Sequence, residues 1–315
     1  MRDVLTGGGA FALATGYPLQ RLRRMPGGGE VSGCRLSLAA DLRDDSPVDN
    51  SRLLLQLTDP DEDVRAEARE ELTMLMDDDI ARAFLDVASS DAAEDIRSDA
   101  IVGLGPIIEE AGMDFDDEDS GFAFDPDLGP GISRETFDSI IREIRALYTD
   151  EQQPKLIRRR AFEVLVRDPQ PWQSFEIRRH FAGDDPLWKL TAVFGMGYVA
   201  GFDKEIAATV ESADDQLLYE AIRAASSMEV SSAAKRIRDL ATSGDTEHDL
   251  RLVSIEALPN VDPDCEDILD TLAASRDREI AETAQAALDE LMLNHLPDDE
   301  DDDLYDEDFE EDEED

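Results

Sequence analysis

The side chains best suited to covalent or acid–base chemistry are sparse. The histidines, His180, His248 and His295, are scattered, and none has a second His or Cys three or four positions away. A zinc centre needs about four converging N, S or O ligands, so no metal site is expected. Two cysteines, Cys34 and Cys265, are too few for a disulfide framework or a four-thiolate site. Cys265 sits among Asp262, Asp264, Glu266 and Asp267, whose charge disfavours the thiolate, so a structural role is expected for it. Gly195-Met196-Gly197 has neither the strand-then-helix setting of a phosphate loop nor a following Lys-Ser/Thr. Asp114 and Asp116 alternate like the start of a calcium loop, but the glycine and the distal Glu fall in the wrong places. No catalytic residue and no cofactor are expected.

Recognition chemistry is concentrated in cations. Arg158, Arg159 and Arg160 open one helical pattern, and Arg178 and Arg179 lie on the next, close to Trp188. Guanidinium groups bind carboxylate and phosphate bidentately and stack on aromatic rings. These six residues are therefore expected to form a partner-binding patch that receives an acidic protein segment or the chain's own tail. The competing arrangement is local pairing with Glu163, Glu176, Asp184 and Asp185.

That cationic stretch stands out because the chain carries 77 acidic residues against 30 Lys plus Arg, a net charge of −47. Such a charge disfavours nucleic acid and anionic membranes as partners. No run approaches the roughly 18 apolar residues of a spanning helix. The few lysines and the many aspartates resemble the composition of proteins from a molar-salt cytoplasm, where a Debye length of about 3 Å screens self-repulsion. A cytoplasmic location is expected on that ground. Oligomeric state is not legible.

Residues 1–48 are rich in glycine and turn signals and keep no period, so they read as a disordered or mis-assigned leader. Val31-Ser32-Gly33-Cys34 has the form of a lipidation site, but the apolar segment that should precede it is missing. Residues 297–315 read as a disordered acidic tail interrupted by Leu304, Tyr305 and Phe309. Residues 112–133 read as an acidic loop insertion.

Between these segments a pattern repeats. An apolar residue, a small residue at +4 and an apolar or small residue at +8 recur from Val64, Ile96, Ile157, Trp188, Leu217, Leu250 and Ile280. Positions 0, +4 and +8 lie along one helix face, and the small middle residue lets a neighbouring helix approach. A shorter apolar helix and a turn precede each frame. Neither helix can bury its stripe alone, so stacking is required. The expectation is an all-α solenoid of about seven stacked hairpins spanning 49–296.

The unit Asp-Pro-x-x-x-Val-Arg-x-x-Ala-x-x-x-Leu, at about thirty residues, resembles the HEAT repeat, particularly the short form of phycobilisome-lyase-type proteins. The resemblance implies an Asp in the turn six residues before an Arg, stacked as a ladder. Asp59/Arg65, Asp91/Arg97 and Asp245/Arg251 keep that spacing, while Gln152/Arg158, Gly183/Lys189, Ser212/Leu218 and Ser275/Ala281 break it. A non-enzymatic scaffold that docks another protein is the expected function. The resemblance brings a bilin-lyase-like chromophore-handling role as the alternative, and the tail offers another, binding of a basic partner. A HEAT-like DNA glycosylase is disfavoured by the charge.

Overall fold

The computed structural model describes residues 50–116 and 131–294. They fold into seven antiparallel helical hairpins, and no strand occurs among the described residues. The first pairs α1 (Asn50–Gln56) with α2 (Glu62–Thr73), and the second α3 (Asp78–Ser89) with α4 (Glu94–Asp116). Next come α5 (Arg134–Thr149) with α6 (Lys155–Leu165), and α7 (Gln173–Ala182) with α8 (Pro186–Met196). The last three are α9 (Asp203–Thr209) with α10 (Asp215–Ser227), α11 (Ala234–Thr242) with α12 (His248–Val261), and α13 (Glu266–Ala273) with α14 (Arg278–Asn294). The leader and the tail lie outside the described residues. The insertion is shorter than expected: α4 continues to Asp116, beyond the anticipated break at residue 112.

The repeated frame is the core. Its +4 and +8 residues are all buried, from Ala68 and Leu72 through Ala161 and Leu165 to Ala284 and Leu288. The first position is buried at Ile157, Leu250 and Ile280 and half-buried at Val64, Ile96, Trp188 and Leu217. Small residues permit the close crossings. A Cβ on Gly103 would stand 2.5 Å from the Phe84 ring, and one on Gly195 would stand 3.2 Å from Ile177 Cδ1. Successive second helices (α2, α4, α6, α8, α10, α12, α14) pack on one another in an unbroken row. Among the first helices only α3 and α5 pack comparably. Close spacing on one side and wider spacing on the other curve the stack, with the second helices inside.

Acidic residues start several of these second helices. Asp61, Asp185, Asp214 and Glu247 accept hydrogen bonds from the free amides of the first turn, and Asp277 does the same at α14. Each satisfies an orphan donor and complements the helix dipole.

The anticipated Asp–Arg ladder takes a different form. Arg65 Nη1 donates to the main-chain oxygens of Asp59 (2.9 Å) and Pro60 (3.2 Å), not to the Asp59 carboxylate. Arg97 Nε donates to Ala88 O (2.9 Å), Arg158 Nε to Tyr148 O (3.0 Å) and Arg251 Nε to Ala241 O (3.0 Å). These last three oxygens end α3, α5 and α11, so the arginine closes the carbonyl end of the helix before it. Arg158 does so although Gln152 stands where the Asp was expected, because the bond is to backbone.

Two of these arginines also bridge to the following hairpin. Arg65 reaches Asp99 (2.7 Å) and Asp95 (3.2 Å), and Arg97 reaches Gln153 (2.8 Å). A charge-assisted bond of this kind is worth about 1.5–3 kcal/mol. Arg251→Met is expected to lower stability by about 1.5 kcal/mol, because the α11 end loses its donor. Arg276→Met serves as the exposed control. Urea midpoints in molar KCl read the difference; equal midpoints for the two variants would remove the capping role.

Candidate functional site

The junction of the third and fourth hairpins holds the densest aromatic packing in the described residues. Tyr148 at the end of α5 lies 4.9 Å from Phe162, 6.0 Å from Trp172 and 6.2 Å from Trp188, centroid to centroid. His180 stacks on Trp188 at 4.0 Å and 6°. Three guanidiniums edge this cluster. Arg145 lies 4.7 Å over Trp172 and Arg158 lies 5.7 Å over Trp188. Arg179 pairs with Glu176 and donates to Tyr148 Oη (3.3 Å).

Inside it is a closed polar network. Tyr148 Oη donates to Glu176, and His180 Nε2 lies 3.1 Å from that oxygen and 3.2 Å from Arg179 Nη2. Burial first, then the Arg179 charge, disfavour the imidazolium and lower the His180 pKa to about 4. The neutral ring accepts from Arg179 through Nε2. Burial also raises the Tyr148 phenol, with the Glu176 charge adding to it.

The six residues singled out from sequence are divided by the structure. Arg158, Arg179 and Trp188 meet at the aromatic cluster. Arg159 is buried elsewhere, donating to Thr191 Oγ1 (2.8 Å) and pairing with Glu163 (3.4 Å). Arg160 binds the other Glu163 oxygen at 2.7 Å. Arg178 reaches the Gly201 oxygen (3.4 Å) and lies 4.5 Å over Phe202. Local pairing accounts for Arg159, Arg160 and Arg179; the expected partners Asp184 and Asp185 are not involved, since Asp185 holds Lys155 (2.5 Å).

Sequence reasoning passed over the open part of the site. A groove of about 570 Å³ runs between α5 and the turn that starts α7. Arg134, Asp138, Arg142 and Arg145 line it from α5, with Asp168, Gln170, Trp172 and Gln173 on the opposite wall. Arg142 and Arg145 are exposed. Arg142 donates to Ser139 Oγ (2.9 Å) and Arg145 lies over Trp172. Among the described residues neither has a carboxylate partner, whereas Arg159, Arg160, Arg167 and Arg179 on or beside the neighbouring helices do. Phe175, two residues past Gln173 on α7, is 69% exposed.

The turn 166–172 is fixed by one buried amide. Gln173 is 1% exposed; its Nε2 donates to Leu165 O (2.7 Å) and Asp168 O (3.0 Å), and its Oε1 accepts from Gln170 N (2.9 Å). Pro169 and Pro171 lack amide donors of their own, so this side chain organises the turn that carries Trp172.

Elsewhere the inventory is poor in reactive groups. Cys265 is fully buried, and burial, then Asp262, push its thiol up to about 11. The crevice by Tyr198, Glu220 and Arg223 on the inner side holds about 10 Å³, space for about one water. Among the described residues no group of three or more potential metal ligands converges, and no helix is long and apolar enough to cross a membrane.

No protein-family model matches this chain, and no curated protein does. Solved structures that resemble it include helical-repeat proteins. The archaeal HEAT-like repeats protein from Thermococcus onnurineus is 14% identical over 79% of this chain and 98% of its own, with TM-score 0.34. Human deoxyhypusine hydroxylase is 12% identical over 78% of this chain and 96% of its own, with TM-score 0.33. A designed armadillo repeat protein in complex with a (KR)4 peptide is 12% identical over 77% and 99%, with TM-score 0.32. The HEAT-like architecture is carried by this chain's own seven hairpins.

Two measurements check the site. In proton-detected titrations His180 is expected to titrate near pH 4, and His248 above the ordinary histidine value, because Glu279 binds it at 2.6 Å. The unfolded chain binds a proton at position 180 that the folded chain refuses between about pH 6.5 and 4. Stability therefore falls on acidification through that window, and His180→Gln should remove that component. A His180 midpoint at the ordinary value would contradict the buried network. Gln173→Met removes the three hydrogen bonds that its buried amide makes to the turn and is expected to cost about 2 kcal/mol. It should also shift Trp172 emission to the red in a Trp188→Phe background; unchanged emission would mean that the amide does not hold the turn.

Proposed function

We propose that this protein is a non-enzymatic docking scaffold that binds an acidic segment of a partner protein at the third and fourth hairpins. One observation carries the reading: two exposed guanidiniums without carboxylate partners among the described residues, Arg142 and Arg145, line an open groove together with Trp172, on which Arg145 stacks, in a chain of net charge −47. Guanidinium forks hold carboxylates bidentately at short range, and a tryptophan wall adds a flat apolar contact. The groove lies within the roughly 300–1,000 Å³ of ligand-sized clefts.

In this reading Arg142, Arg145 and Trp172 touch the partner. Arg158, Arg179 and Trp188 extend the same surface over the aromatic cluster, while Arg159 and Arg160 serve the scaffold.

The test is affinity capture from lysate in molar KCl with quantitative mass spectrometry. It compares the full chain with an Arg142→Glu/Arg145→Glu variant of unchanged helicity. The expected result is a partner with an acidic segment, retained by the full chain and depleted at least about tenfold by the charge reversal. Equal recovery by both proteins would place docking elsewhere, and absence of any partner would count against a docking function.

A further inference from the structure

We infer that the groove between α5 and the start of α7 is the intramolecular seat of the chain's own acidic tail, residues 298–315. The inference rests on the groove being a docking site for acidic segments, as proposed above, and names the segment that occupies it in the absence of a partner. Three observations converge on it.

The first is position. In a stack of antiparallel hairpins every second helix ends on the edge where every first helix begins. The turn 166–172 that forms the groove wall lies between the end of α6 and the start of α7, on that edge. Helix α14 is a second helix, so Asn294 leaves the solenoid on the same edge. The tail need not cross the width of the molecule to reach the groove.

The second is reach. Helices of adjacent hairpins pack about 8–10 Å apart, so the groove lies about 30–40 Å along the stack from α14. An extended chain covers about 3.3–3.6 Å per residue. Tyr305 can thus travel about 37 Å from Asn294 and Phe309 about 50 Å. Phe309 reaches the groove with slack, and acidic residues flank it on both sides.

The third is chemistry. Residues 298–315 are acidic except for Leu304, Tyr305 and Phe309. The groove is lined by Arg134, Arg142 and Arg145 against Asp138 and Asp168, so its cations outnumber its carboxylates, and Trp172 offers a wall for a ring. Tethering raises the local concentration of the tail to the millimolar range, so weak contacts suffice to fill the groove. A partner's acidic segment must then displace the tail, which makes the tail a built-in competitor of docking.

The experiment uses the full chain with Phe309→p-benzoylphenylalanine, mixed with an equal amount of heavy-nitrogen protein and irradiated in molar KCl. The expected crosslinks are light-to-light or heavy-to-heavy and map to residues 134–149 or 168–175. Arg142→Glu/Arg145→Glu should reduce them at least about tenfold with helicity unchanged. Light-to-heavy crosslinks would assign the tail to a second copy and overturn the inference. So would crosslinks on other hairpins, no crosslinks at all, or groove crosslinks indifferent to the charge reversal. The docking reading is judged separately: loss of partner capture on charge reversal without tail crosslinks in the groove would leave that reading standing and remove the tail from it.

Discussion

An α-helix ends with carbonyls that have no amide partner, and in a hairpin stack those ends sit at the turn that aims the next helix. Here an arginine from the first turn of the second helix returns to fill that gap. Arg97, Arg158 and Arg251 do so in the same way from three different hairpins. Arg65 does so through the turn oxygens and adds bonds to Asp95 and Asp99 of the following hairpin. One residue thereby satisfies a buried acceptor, fixes the angle within a hairpin and, at Arg65 and Arg97, ties it to its neighbour. Arg158 also lies over Trp188, so the contact that closes α5 helps shape the aromatic junction.

This contact gives part of the acidity a structural meaning. Asp61, Asp185, Asp214, Glu247 and Asp277 occupy helix starts, where a negative side chain satisfies amides and complements the dipole. Arginine at the carbonyl end and aspartate at the amide end are the two halves of one solution to hairpin termination. Charge beyond that need adds self-repulsion that salt relieves.

The stacking pattern was legible in sequence because burial imposes it directly. A small residue at +4 and an apolar or small residue at +8 have no alternative positions in a close crossing, and all seven frames are buried there. The site was less legible, for a geometric reason. Arg158, Arg159 and Arg160 adjoin in sequence, but successive residues turn by about 100° on a helix, so they point to α5, Thr191 and Glu163 in turn. A run of like residues marks a rotation of directions, not a patch. The groove depends on Arg145 meeting Trp172, which belong to different hairpins. The available signal was the spacing of Arg142 and Arg145 on one face of α5, together with the two prolines ahead of Trp172.

Those prolines explain why the opening lies where it does. A turn with Pro169 and Pro171 cannot use their nitrogens to fold back on α6, so the backbone is satisfied by a side chain instead. Gln173 takes that role with both ends of its amide, and its burial makes the turn rigid. A rigid turn holds Trp172 opposite Arg145 before any ligand arrives, so binding need not supply the entropy of ordering that wall. The groove is thus a consequence of how one turn satisfies its backbone. The features on which the proposed docking rests, an open wall and exposed guanidiniums, come from the first helices standing apart there while the second helices stay in contact.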